Sequence, residues 1–558
     1  MLATQEAGNV TGHTTVRLVY APAVRARPGL YVHALRTARR RQLVGRVTRV
    51  VSRRRFPPAR SRRFRPLTDV EPLWRSRAFA PTEEPKAALP GRLGNFELHY
   101  GDEILGSSRR GDEAAAASAL HAWIVENPPR HGDAWHPYVV STRVANWIAA
   151  ATLIPSLATA DVVDSLARQL AFLERNVEDD VLGNHVIRNA KALVLGGEAF
   201  GDRALLQAGR AVLARELPEQ VLPDGGHYER SPAYHRLVLR DLLEVQPFAD
   251  VEGAVGQMTV FAAALSRPDG APALFNDGGL DIAPPLDLPD PPGGAAVFED
   301  TGYVFLRDGD LTLAFDCGPP SPPFLPAHAH ADALSLQLWL GDAPVVVDPG
   351  TSTYEPGRQR TWERGTEAHA TVAVGGDQFP LWGTFRSGPL PDVRLVEASP
   401  NRLVGSVELH DGTLHRRTIT IDPDAVVVED RLEGEGRRRI VSSLPGTAEA
   451  TALGPLETRA GTGLRSPKRS AASLGSTTVS SGPTAVASTV PGSDETMGRL
   501  PLPSRLSSTT TASGSIVIVR RWSVPSSSST DPTRRPGDAS TSRTSGSGPL
   551  RNAPHSGN

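Results

Sequence analysis

Between about Ala114 and Pro247, Ala, Leu and Val recur at three- and four-residue spacing. That repeat predicts successive amphipathic helices. Asn127-Pro128-Pro129, Gly196-Gly197 and Pro223-Asp224-Gly225-Gly226 mark the expected breaks. Near Gly302 the period changes. Tyr303 to Phe315, Leu334 to Leu340, Ala343 to Val347, Thr371 to Val374, Leu403 to Leu409, Thr413 to Ile421 and Ala425 to Glu429 are short, β-branched runs separated by Gly, Asp and Pro. No helical segment intervenes, so they predict an antiparallel sandwich and not parallel βαβ units. Ahead of both regions, His33 to Pro66 is rich in arginine, with Leu43, Val44, Val47 and Val50 near helical spacing and Pro57 as its end. It reads as a solvated amphipathic helix, with an anion-binding arm as the functional alternative.

From about Leu444 the chain changes to Ser, Thr, Gly, Pro and Arg with few large apolar residues. Such a segment buries too little apolar surface to offset its ordering entropy. A shifted reading frame in a GC-rich gene would produce this switch, which resequencing across codons 435 to 450 tests. The pattern divides the chain into a basic N-terminal segment (1–90), a helical domain (91–290), a β-sandwich (295–443) and a disordered tail (444–558). The 558 residues suffice for two or three cores, and a net charge of -1 argues against a dedicated nucleic-acid binder. Cys317 is the single cysteine, which excludes an intramolecular disulfide. No run of about 18 apolar residues predicts a membrane span, and MLATQEAGNV lacks the features of a secretory signal, so the default location is cytoplasmic.

Three polar constellations carry chemistry. In Ala327-His328-Ala329-His330-Ala331-Asp332, an extended strand would point His328, His330 and Asp332 to one face. His330 and His369 with Asp348 would then supply three positions of a tetrahedral metal, leaving His328 for proton transfer; the plainer reading is a hydrogen-bonded polar patch. In Leu182-Gly183-Asn184-His185-Val186-Ile187-Arg188-Asn189, helical spacing pairs Asn184 with Arg188 and His185 with Asn189. That face is polar, as a capping or surface feature also is. In Pro223 to His235, Ser231-Pro232 reads as a helix start. Tyr228, Glu229, Arg230, Tyr234 and His235 at this junction suit sugar recognition, unless the two tyrosines are core aromatics with hydroxyls at the rim.

Taken together, LGNHVIRNAKAL, PDGGHYERSPAYH, FNDGG and HAHADALSLQLWLGDAPVVVDPGTSTY resemble the heparinase II/III family of polysaccharide lyases, as do Asn127 to Pro129 and Ser141 to Ile148 upstream. The likeness spans roughly residues 95 to 440. It implies an incomplete α/α toroid followed by an antiparallel β-sandwich, with the active site between them. It also implies β-elimination on an acidic, uronate-containing polysaccharide and allows a periplasmic or cell-envelope location. By motif, Asn184 and His185 would neutralise the uronate carboxylate, Tyr234 would be general base or acid, and His328 a second proton-transfer group. Tyr228 is the alternative tyrosine, while Glu229, Arg230, His235 and Arg188 would line the substrate. His330, Asp348 and His369 would hold a structural divalent metal, zinc in preference to calcium. Arg230 and His235 are expected to lower the tyrosine pKa from its usual value of about 10. Two other functions fit parts of the pattern: a cupin-like metal-dependent oxygenase or isomerase, and a glycan-binding or exopolysaccharide-assembly protein without turnover.

Overall fold

The apolar repeat of the first half folds into helices. In chain order they are α1 (Pro28–Thr37), α2 (Arg40–Val51), α3 (Glu71–Arg75), α4 (Gly91–Glu97), α5 (Asp102–Arg109), α6 (Glu113–Glu126), α7 (Pro137–Leu153), α8 (Ala160–Glu174), α9 (Asn184–Ala199), α10 (Arg203–Gln220), α11 (Pro232–Val245) and α12 (Glu252–Ala264). The computed structural model describes residues 28–51, 63–76, 79, 91–130, 132–279, 282–283, 285–434, 438–443 and 445–446, with the strand segments 459–462, 504–505, 508–512 and 516–523. Pro57 lies outside these residues.

Helices α7 and α9 are buried along nearly their whole length and form the centre of the helical domain. Each Leu, Val or Phe fully buried there contributes about 1.5–3 kcal/mol. Asp112, Asp202 and Ser231 cap α6, α10 and α11 through their side-chain oxygens, and Pro232 occupies the first turn of α11 as its sequence predicts. The expected break at Gly196-Gly197 is not there; both residues continue α9. A Cβ on Gly196 would lie 2.4 Å from Leu170 Cδ2, and one on Gly197 2.5 Å from the Leu206 backbone nitrogen. These glycines bring α8 and α10 close to α9, and close packing outweighs their low helix propensity.

The second half is antiparallel throughout its ladders. Its strands are β1 (Gly294–Phe298), β2 (Tyr303–Asp308), β3 (Leu311–Asp316), β4 (Leu336–Leu340), β5 (Ala343–Val346), β6 (Val372–Val374), β7 (Leu381–Trp382), β8 (Arg386–Ser387), β9 (Asp392–Ser399), β10 (Arg402–Glu408), β11 (Leu414–Asp422), β12 (Ala425–Glu433), β13 (Arg438–Ser442), β14 (Pro445–Gly446), β15 (Arg459–Thr462), β16 (Ser504–Arg505), β17 (Ser508–Ala512) and β18 (Ile516–Ser523). A helix, α13 (Arg358–Arg364), interrupts them. One sheet has the order β1-β2-β3-β4-β5-β14-β16 and another β15-β18-β12-β11-β10-β9. Their facing sides interlock through Leu313, Phe315 and Leu338 on one and Leu403, Ile419 and Val428 on the other. A separate aromatic cluster of Phe261, Phe275, Phe298, Tyr303 and Trp339 seals α12 against the first sheet.

The sequence pattern ends the sandwich at residue 443, whereas the sheets take strands from beyond it. Strand β18 pairs along β12 from Ala425↔Ser523 to Leu432↔Ile516, and β17 pairs with β13. The alternating β-branched run at Ile516 satisfies the open edge of β12, an incentive that local composition does not reveal. Apart from strands β14 to β18, residues 444–558, expected to be a disordered tail, lie outside the described residues.

Candidate active site

On the helical side the site begins at a left-handed turn, with φ of 71° at Leu182 and 60° at Gly183. A Cβ at Gly183 would fall 1.8 Å from Glu229 Oε1, so only glycine allows the approach that follows. Asn184 opens α9 there, buried, and its Nδ2 donates to Glu229 Oε2 at 3.1 Å while its backbone N–H donates to Oε1 at 3.3 Å. Next to it His185 stays partly open, its Nδ1 3.2 Å from Glu178 Oε1 and its ring 4.5 Å from that of Tyr138. Glu178 is fully buried and also accepts from Asn189 Nδ2 at 3.2 Å. Burial acts to raise the Glu178 pKa, but His185, His136 and Asn189 outweigh it and hold the carboxyl at about 2.

The opposite side is built on Asp277. The residues around His328 form a short 3₁₀ turn (Pro326–His328) and a loop where a strand was expected. Alternation is therefore not what brings the imidazoles together. Instead His328 Nδ1 lies 2.9 Å from Asp277 Oδ2 and His330 Nε2 lies 2.8 Å from Oδ1. Arg360 Nη2 donates to Asp277 Oδ2 at 3.0 Å, and Thr351 Oγ1 donates to Oδ1 at 3.2 Å. Although burial favours the neutral acid, Arg360 and the two imidazoles keep this carboxyl well below the usual range. The ring of Tyr234, in the first turn of α11, lies tilted by 31° over that of His328 with centroids 3.9 Å apart. Its hydroxyl is 2.9 Å from that of Tyr354. His328 Nε2 lies 3.9 Å from Glu229 Oε2, so Glu229 joins the two sides.

Asn184, His185, Tyr234 and His328 are thus brought into one cluster, and the other expected contacts are redistributed. Tyr228 is buried, with its hydroxyl accepting from the Gly183 N–H at 3.0 Å. Glu229 is buried beside Asn184 and positions it through two hydrogen bonds. Arg188 is buried against Asp241 at 2.6 Å. Arg230 donates to the backbone carbonyls of Asp300 and Thr301, fastening the helical domain to the sheet. His235 is buried in α11, between the His227 N–H and the Met258 carbonyl, with a pKa lowered to about 3 by burial. Neither Arg230 nor His235 lowers the Tyr234 pKa. Burial and the nearby Asp277 charge raise it well above 10, so Tyr234 keeps its proton at neutral pH.

The metal-type residues cluster beside this site. His330, Asp332 and His369 each offer a donor atom within 4.8 Å of the others, all buried. His330 Nδ1, Asp332 Oδ1 and His369 Nε2 have no hydrogen-bond partner, which is costly for buried polar atoms unless something else meets them. Asp348 takes a different place from the one expected: its Oδ2 lies 2.7 Å from His369 Nδ1 and orients that ring.

The residue reading missed Asp277, Tyr354, Arg360 and Glu178 as site members. Asp277 and Tyr354 stand inside quoted motifs, so the signal was present without an assigned role. Arg360 and Glu178 carry no local signature.

The heparinase II/III N-terminus model matches residues 111–267, and the heparinase II/III-like C-terminal model matches residues 290–495. The chain belongs to the heparinase II/III family. FtsZ-localized protein C of Caulobacter vibrioides is 27% identical over 348 residues, covering 56% of this chain and 59% of that protein. A heparin-sulfate lyase of Bacteroides stercoris is 21% identical over 360 residues, covering 55% and 53%. The matched region thus spans little more than half the length of either curated relative. A crystal structure of heparinase III superposes with a TM-score of 0.56 at 14% identity, over 91% of this chain and 94% of that one. That likeness establishes the shared fold: a helical toroid followed by an antiparallel sandwich. It also accounts for the helical half, which a cupin-like reading leaves unexplained.

Proposed function

We propose that this heparinase II/III family member is a polysaccharide lyase that cleaves a uronate-containing glycan by β-elimination. The observation that carries the reading is the Tyr234–His328 ring contact at 3.9 Å, joined to Asn184 through Glu229. Elimination removes the proton from C5, forms the C4–C5 double bond and expels the oxygen at C4, while negative charge builds on the uronate carboxylate. Asn184 and His185 face that charge as fixed donors. With Nδ1–H of His328 directed at Asp277, Nε2 presents its lone pair and takes the C5 proton. Tyr234, held protonated, donates to the departing oxygen, and the hydroxyl of Tyr354 at 2.9 Å supplies a path for reprotonation. Proton transfers of this kind are worth roughly 10²–10⁴ in rate.

The three unpartnered donors fit a structural divalent cation. Two imidazoles and a carboxylate suit tetrahedral zinc better than calcium, which prefers about six to eight oxygens. Its contribution when bound would be to brace the loop carrying His328. His330→Ala should then lower metal content and melting temperature together, and metal content equal to wild type would remove the proposal. Asp332→Asn compared with Asp348→Asn distinguishes a ligand from the residue behind His369.

A glycan-binding protein without turnover is the second reading, favoured because one curated relative bears a name describing a location and no reaction. Incubation with heparin, heparan sulfate, alginate and hyaluronan, followed by ultraviolet absorbance of an unsaturated uronate, separates them. Product formation supports the lyase; binding without product across the panel supports the alternative.

A further inference from the structure

Helices α1 and α2 have two distinct faces. One face is fastened to the protein body. Gln42 Nε2 donates to the Phe324 carbonyl at 3.2 Å, Arg41 Nη2 to Glu216 Oε2 at 2.9 Å, and Arg49 pairs with Asp180. Gly45 sits so near that a Cβ there would meet Asp180 Cβ at 2.9 Å. Tyr31 reaches Trp382 in the sandwich at 6.4 Å between ring centroids, so the helix pair is anchored to both halves.

Among the described residues, the opposite face stays open. Val32 and Leu35 of α1 are 45% and 59% exposed, and Leu43, Val44 and Val47 of α2 are 36%, 64% and 62% exposed. Positions 32 and 35 lie on one side of a helix, as do 43, 44 and 47. Exposed Arg36, Arg40 and Arg46 are interleaved with them. From residue 7 through residue 68 the sequence has sixteen arginines and no Asp or Glu. A purely electrostatic arm for a polyanion would require the arginines alone. Leucine and valine projecting between them match a layered partner, with anionic groups outside and hydrocarbon just beneath.

We propose that the outer face of α1 and α2 docks the protein on an anionic lipid surface, with the arginines at the headgroups and the apolar side chains at the acyl boundary. The helices lie in the plane of the surface and do not cross it; among the described residues no helix is long and apolar enough to span a membrane. This does not depend on the lyase assignment, because none of these residues belongs to the Tyr234–His328 site.

Sedimentation of the full chain with phosphatidylglycerol–phosphatidylcholine vesicles, against pure phosphatidylcholine, tests it. Wild type should bind the anionic vesicles, more weakly as salt rises. Replacing Arg36, Arg40 and Arg46 by Gln should weaken binding roughly a hundredfold, from the usual headgroup attraction of each arginine. Leu43→Gln with Val44→Gln and Val47→Gln keeps every charge and should weaken binding at least about tenfold. Val32→Ser with Leu35→Ser probes α1 independently should the α2 variant melt early. Apolar variants that bind like wild type would overturn the proposal in favour of charge alone. Retention on heparin-agarose without vesicle binding would also overturn it and assign the arm to an acidic glycan.

Discussion

The two walls of the candidate site use the same device at very different sequence distances. On the helical wall, Glu178 organises His185 and Asn189 within a segment of twelve residues, and Glu229 organises Asn184. On the sheet wall, Asp277 gathers His328, His330, Thr351 and Arg360 from separate turns and from α13. In each case a buried carboxylate gathers the polar side chains of its wall. The sheet wall depends more heavily on its carboxylate, because Asp277 also neutralises a buried guanidinium.

Four perturbations exploit that difference. Tyr234→Phe, at the junction of the walls, should reduce turnover by roughly 10²–10⁴ and leave glycan affinity within a few-fold. Steady-state kinetics with a binding measurement checks this, and near-normal turnover would remove Tyr234 from the proton path. Asp277→Asn should destabilise by about 3–5 kcal/mol in chemical denaturation, since it strands Arg360 as a buried unpaired charge; a change below about 1 kcal/mol would place Arg360 in contact with water.

Glu178→Gln sharpens the other wall. The folded carboxyl titrates at about 2, below the unfolded value, so its stabilisation is present above about pH 4.5 and fades as pH falls toward 2. Wild type should lose up to about 3 kcal/mol over that window through this group, and the Gln variant should show a correspondingly shallower acid limb. Equal slopes would sink the assignment. The smallest effect is expected for Tyr228→Phe, which removes one hydrogen bond to Gly183 and should cost about 1 kcal/mol with turnover nearly unchanged. A collapse of turnover there would exchange the roles of the two tyrosines.

The same contrast explains what the sequence made legible. Local periodicity announced both halves of the fold, and Asn184, His185 and Tyr234 lay in recognisable short motifs at the starts of α9 and α11. Burial redefined their neighbours. Glu229, Arg230 and His235 are typical ligand-binding side chains, yet each is consumed by an internal partner that no spacing rule specifies. Asp277 is the converse, a plain aspartate in a turn whose importance arises only when 328, 330 and 360 converge. Gly196-Gly197 misled for a related reason: a glycine pair has the same local signature whether it ends a helix or admits a neighbour.

Strand β18 joins β12 across more than eighty intervening positions. During synthesis the helical half can collapse as soon as α12 has emerged, while the second sheet must wait for residues 516–523 before its edge is filled. Assembly is therefore ordered along the chain, with the helical wall able to form before the second sheet is filled.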